Sequence, residues 1–103
     1  MRANSFPFLT SHTNFLPGTL KQQVEAALRV AESAGATQAP AAVMACVRNV
    51  AAGATPLMVE SARYQGQAAT IIVMRTSKGE VALVAGAGCS ASHGKPLATT
   101  TVP

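Results

Sequence analysis

The stretch that decides the fold is residues 57–85, LMVESARYQGQAATIIVMRTSKGEVALVA. Apolar runs rich in valine, isoleucine and alanine predict strands at 57–64, 68–75 and 80–85. Gln65-Gly66 predicts a tight turn between the first two strands, and we expect Gly79 to supply a positive φ in the second hairpin. A fourth strand is predicted at 97–102. Because short connections join antiparallel neighbours, these strands predict a four-stranded antiparallel sheet.

Two helices are predicted before this sheet. The first lies between Thr19, which forms a capping-box pattern with Gln22, and Gly35, a typical helix stop. The second is predicted over residues 40–53, with Cys46 on its buried face. The first helix has an apolar stripe at helical spacing, made of Leu20, Val24, Ala27, Leu28 and Ala31. The sequence therefore predicts an α+β fold in which two helices pack on a four-stranded antiparallel sheet.

The first 17 residues contain all three phenylalanines, Phe6, Phe8 and Phe15. No helical or strand period fits their spacing, so residues 1–17 are predicted to be an extended aromatic arm or a linker. Residues 18–103 then form a single domain, in keeping with a chain of 103 residues.

The second and third predicted strands are apolar on both faces, a pattern typical of strands that are covered on both sides. If both helices cover one face, the other must meet the arm, a second copy of the chain or a partner. The candidate interaction residues are Phe6, Phe8, Phe15, Ile72 and Met74.

Charge and composition argue against several classes of function. The net charge of +4 comes from basic residues that are scattered, and no nucleic-acid interface is expected without a clustered patch. The four acidic residues show no pair suited to acid–base catalysis. The longest apolar run, residues 71–74, is too short to span a bilayer. No cofactor and no small-molecule substrate are indicated.

Two cysteines, Cys46 and Cys89, stand 43 positions apart. A helix that packs on a sheet can bring such positions close enough for a disulfide. Closing a loop of this length would stabilise the fold by about 4 kcal/mol on a chain-entropy model. From the residues alone, a pair of buried free thiols is the open alternative.

The segment around Cys89 and His93 invites two chemical hypotheses. A cysteine nucleophile assisted by His93 lacks a visible third group to orient the imidazole. A metal site would have to combine this pair with Cys46 and His12, although structural zinc normally uses two ligand clusters. Neither a catalytic residue nor a metal site is therefore predicted.

The second half of the chain resembles the extracytoplasmic C-terminal domain of certain actinobacterial single-pass membrane proteins, among them transmembrane anti-sigma factors of the extracytoplasmic-function class. The resemblance covers about residues 40 to 103. It is carried by Cys46, Thr55-Pro56, the Arg63 region, residues 69–73 and 81–85, Gly88-Cys89-Ser90-Ala91 and Leu97-Ala98-Thr99-Thr100-Thr101-Val102-Pro103.

This resemblance implies a domain in the cell envelope, tethered to the membrane through an upstream segment that these residues do not contain. It also implies a closed disulfide between Cys46 and Cys89, since such bonds persist outside the cytosol. The function it implies is a non-catalytic sensory or protein-interaction domain of a membrane-anchored regulatory protein, with a protein partner or self-association. The alternative hypothesis is a free-standing cytoplasmic homodimer with reduced cysteines.

Overall fold

The computed structural model describes residues 5–35, 37–38, 40–50, 56–77, 79–86, 89 and 97–102. These residues form two α-helices, two sheets and one 3-10 turn, Pro17–Thr19. The helices are α1, Leu20–Ala34, and α2, Ala41–Val50. The strands are β1, Ser5–Phe6; β2, Phe8–Phe15; β3, Thr37–Gln38; β4, Pro56–Tyr64; β5, Gln67–Thr76; β6, Gly79–Gly86; and β7, Ala98–Val102.

The main sheet has the order β2-β4-β5-β6-β7. Strands β4 to β7 form the predicted antiparallel meander. However, β2 joins the free edge of β4 in parallel, with Phe8 opposite Val59 and Phe15 opposite Tyr64. The prediction of four antiparallel strands is therefore corrected to a mixed sheet of five. The α+β class is confirmed.

The tight turns of the meander lie at the predicted glycines. Gln65 and Gly66 both have positive φ, 52° and 83°, in the two-residue connection between β4 and β5. Paired positive φ values fit the right-handed twist of a hairpin. Gly79 has a φ of 113° at the start of β6. Both sequence predictions are confirmed, because each connection requires a conformation that glycine reaches without steric cost.

The start of α1 differs from the predicted capping box. Thr19 makes no side-chain cap hydrogen bond, and its hydroxyl instead donates to Oε1 of Gln23 at 3.0 Å. A 3-10 turn leads into the helix, so the chain enters α1 already coiled. The end is as predicted, with the Gly35 N–H donating to the Ala31 carbonyl at 3.3 Å.

The two helices cover opposite faces of the sheet, whereas the sequence interpretation placed both on one. We call the layer beneath α1 the α1-side core and the layer beneath α2 the α2-side core. The α1-side core contains Phe15, Leu20, Val24, Ala31, Met58, Ala62, Tyr64, Ala69, Ile71, Val73, Ala82 and Val84. The α2-side core contains Phe6, Cys46, Val47, Val59, Ile72, Met74, Leu83 and Ala85. Alternation along β5, with Ile71 on one side and Ile72 on the other, explains why its sequence is apolar throughout.

The residues predicted to form an extended aromatic arm or a linker are extended, but where the structure describes them they pair into sheets. Residues 5–6 pair with β3 in a small antiparallel sheet, and residues 8–15 are the edge strand of the main sheet. Phe6 and Phe8 pack in the α2-side core, and Phe15 packs in the α1-side core. The three phenylalanines fit no single period because they belong to two strands and two cores.

Candidate functional site

The predicted interaction residues lie mostly inside the molecule. Phe6, Phe15 and Ile72 are at most 1% exposed, and Met74 is 8% exposed. Phe8 is partly buried against the α2-side core. The chain's own second helix covers the sheet face that was expected to be open. Contact of a partner with Phe6, Phe15, Ile72 or Met74 would therefore require the cores to open.

Cys46 and Cys89 form a disulfide, as predicted. The S–S distance is 2.00 Å and the Cα–Cα distance is 4.8 Å. Cys46 lies on α2 and is buried. A second contact joins Cys89 to this helix, because Asn49 Nδ2 donates to the Cys89 carbonyl at 2.7 Å. The Cys89 N–H also donates to the Gly86 carbonyl at 3.1 Å. The disulfide thus ties the end of β6 to α2.

This bond leaves no free thiol for the cysteine-nucleophile hypothesis. His93 lies outside the described residues, and His12 is exposed on the edge strand β2. Within the described part of the chain, no cluster of three or more His, Cys, Asp or Glu side chains could hold a metal ion.

A groove between β2 and α1 brings together a different set of residues. Its volume is about 330 Å³. The helix contributes small side chains to this wall, Ala26 and Ala27, followed one turn later by Val30, which is 58% exposed. Because alanines project so little, the helix leaves a gap above the edge strand. The lining residues are Leu9, Thr10, Ser11, Thr13, Gln23, Ala26, Ala27, Val30 and Glu60.

Glu60 gives this groove its chemistry. It is only 3% exposed, and it is the one charged side chain among the buried residues of the described core. The Ser11 hydroxyl donates to its Oε2. The other oxygen, Oε1, is buried and has no hydrogen-bond partner among the described residues. A buried acceptor left unpaired costs about 1–3 kcal/mol, and more when the group is charged.

One end of the groove is fixed by Gln23. Its Oε1 accepts from the Leu16 N–H at 2.9 Å and from the Thr19 hydroxyl, and its Nε2 donates to the Asn14 carbonyl at 3.0 Å. Asn14 Oδ1 in turn accepts from the Gly66 N–H at 2.7 Å. The end of β2, the start of α1 and the β4–β5 turn are thereby joined through side chains.

The sequence analysis does not single out Glu60 as a buried groove residue. Sequence analysis places Glu60 on or beside a strand and finds no second acid that could pair with it in acid–base catalysis. A usable signal was present in β4, because Glu60 falls between Met58 and Ala62 at the spacing of one strand face. A carboxylate flanked in this way on a covered face is buried, and burial of an isolated charge calls for a partner.

Comparison with protein families shows which family the chain belongs to. The family model for the C-terminal extracellular domain of anti-sigma factor RsmA matches residues 10–102, which include both helices, both cysteines and the main sheet except the first two residues of β2. The chain belongs to this family. Searches among curated proteins and among solved structures found no match.

The RsmA extracellular-domain family places this chain outside the cytoplasm and in a regulatory, non-enzymatic class. The predicted resemblance to the extracytoplasmic domain of anti-sigma factors is confirmed, while the actinobacterial source stays a prediction. The cytoplasmic alternative with reduced cysteines is wrong, because the family is extracellular and the cysteines are joined. Among the described helices, none is long and apolar enough to cross a membrane.

Proposed function

We propose that this domain is the non-catalytic sensory part of a membrane-anchored regulatory protein, and that binding at its extracellular surface changes the activity of that protein. The observation that carries this proposal is the family match, which covers residues 10–102 and therefore nearly the whole fold. An anti-sigma factor acts on transcription inside the cell, so an extracellular domain in the same protein is suited to receive a signal.

The structure supports a binding role at a restricted place. The sheet faces are filled by α1 and α2, which makes self-association through the sheet a poor candidate. The groove between β2 and α1 remains open, and Glu60 lies in it with one oxygen that has no partner among the described residues. We infer that the signal, whether small molecule or protein, is received at this groove and not at the aromatic residues.

A domain replacement in the source organism tests the sensory role. Residues 8–102 of the chromosomal gene are exchanged for an unrelated disulfide-bonded domain of similar size, and transcripts are measured during changes of the external medium. We expect the replacement to abolish the response of a defined set of transcripts. The matched control is Leu97→Ser, at an apolar side chain that is 53% exposed and lies away from the groove, and it should respond normally.

The amount of each protein in the membrane fraction is measured in parallel by immunoblot, so that loss of response is not confused with loss of protein. A replacement strain with normal protein levels and an unchanged transcript response would contradict the sensory role.

A further inference from the structure

The groove between β2 and α1 combines one buried carboxylate with an otherwise uncharged lining. Of the nine residues that line it, only Glu60 is ionisable, and none is lysine or arginine. The chain as a whole has a net charge of +4, so the absence of basic residues from this described lining is a local feature. A buried carboxylate oxygen with no partner among the described residues can accept a hydrogen bond from a bound ligand.

We propose that this groove binds a small organic cation, a protonated amine attached to a compact apolar group. Oε1 of Glu60 is closed to solvent in this structure, so the carboxylate turns towards the groove when the ligand binds. The ammonium then donates a charge-assisted hydrogen bond to Oε1, while Oε2 keeps its bond from Ser11. The apolar part of the ligand lies against Leu9, Ala27 and Val30.

The dimensions of the groove fit a ligand of this kind. A volume of about 330 Å³ is at the lower end of the range for small-molecule sites. Thr13, also on the lining, carries a hydroxyl, which suits the several N–H donors of an ammonium group. Its backbone N–H donates to Ser11 Oγ at 3.2 Å, so the strand segment that presents Ser11 to Glu60 is held in place.

Charge complementarity selects the cation among ligands of similar shape. An anion would be repelled by Glu60, and a neutral alcohol would offer a single weaker hydrogen bond. A free amine is favoured over a lysine of a partner protein because a groove of about 330 Å³ has the size of a small-molecule site, whereas specific protein interfaces bury about 800 Å² of each partner.

This inference rests on the sensory role proposed above and names its ligand class, but it can fail separately. Binding is measured on the purified oxidised 103-residue chain, by two-dimensional ¹H–¹⁵N NMR during titration with benzylamine. We expect shifts confined to the amides of the lining residues and a Kd of about 1 mM, the range for a ligand of so few atoms. Benzyl alcohol and benzoate should bind at least ~10-fold more weakly, since removing a charge-assisted bond costs about that factor or more.

Variants of the lining residues test which side chains bind the amine. Glu60→Gln preserves the shape of the side chain and should weaken benzylamine binding at least ~10-fold. Glu80→Gln, at an acid on β6 that does not line the groove, should leave binding unchanged. Val30→Ser removes an apolar wall at an exposed position and should weaken binding roughly 2- to 5-fold. Because Val30 is exposed, this variant remains informative even if Glu60→Gln disturbs folding.

Equal binding of benzylamine by Glu60→Gln, or equal binding of benzyl alcohol by the original chain, would overturn the assignment. Tighter binding of a lysine-containing tripeptide than of benzylamine would overturn the choice of a small molecule. If amine binding fails while the domain-replacement strain loses its transcript response, the ligand class is wrong and the sensory role stands. If amine binding succeeds while that strain responds normally, the sensory role is wrong and the site stands.

Discussion

Gln23 shows how much of this fold depends on single side chains that no sequence motif marks. It accepts hydrogen bonds from Leu16 and Thr19 and donates one to Asn14. The predicted partner of Thr19 was Gln22, which is exposed. The motif failed because Thr19 lies at the end of a 3-10 turn. From this position the Thr19 hydroxyl donates to Gln23, one residue beyond the predicted partner.

Substitution of this residue tests its contribution. Gln23→Ala should lower the free energy of unfolding by about 1–2 kcal/mol, since it removes three hydrogen bonds of which each contributes about 0.5–1.5 kcal/mol and water replaces part of the loss at a half-exposed site. Urea denaturation measures the change. Gln22→Ala, at the exposed neighbour, serves as the control and should change stability by less than about 0.5 kcal/mol. Equal effects of the two variants would show that the hydrogen bonds of Gln23 do not stabilise the fold.

At the scale of elements, the sequence predicts the helices and strands whose apolar residues recur at regular spacing. Both helices and four strands lie within a few residues of their predicted bounds where the structure describes them. The strand β2 was missed because five successive polar residues, 10–14, give it no alternation. Such a composition suits an edge strand, but its partner β4 is distant in sequence, and parallel pairing leaves no turn signal to find.

We expect the helix α2 to depend on the disulfide more than the other elements do. It has ten residues, fewer than an isolated helix needs for stability in water, and Cys46 fixes it to Cys89. The double variant Cys46→Ser with Cys89→Ser should lose about 4 kcal/mol of stability on the chain-entropy model, because the unfolded chain regains the freedom of a long loop.

Hydrogen exchange shows whether α2 also opens locally, in addition to this loss of stability for the whole domain. In the double variant, the amides of α2 should exchange faster than those of α1, because α1 is anchored by its own apolar stripe and by Gln23. The oxidised original chain is the reference. Uniform loss of protection across both helices would show that the disulfide stabilises the whole domain and not α2 in particular.

At the scale of the whole molecule, the sheet is the central layer of three. The sequence correctly indicated that its middle strands are covered on both faces, and it could not say by what. A core on each side of the sheet requires one helix on each face. This arrangement is set by the crossover from β2 to β4 and by tertiary contacts, and hydrophobic periodicity does not encode it.

Adjacent isoleucines test this three-layer structure. Ile71 and Ile72 are both fully buried, one in each core. Ile71→Ala and Ile72→Ala should each lower the free energy of unfolding by about 2–5 kcal/mol, as expected for a large-to-small change in a filled core. Thermal or urea unfolding measures both, with Val30→Ala as the exposed control. A cost below about 1 kcal/mol for Ile72→Ala alone would mean that the α2 face is open in solution.

The parallel pairing of β2 with β4 also governs the order in which the chain can fold. The edge strand is synthesised early, yet its partner, which begins at Pro56, comes only after both helices. The cysteine pair closes later still, once residue 89 is present. A chain that emerges from its N-terminus first cannot complete this sheet until most of it has appeared, because the last strand is Ala98–Val102. Non-local pairings also form slowly, which adds to the delay. For an extracellular domain this delay is useful, since a chain that stays unfolded can still be threaded across a membrane.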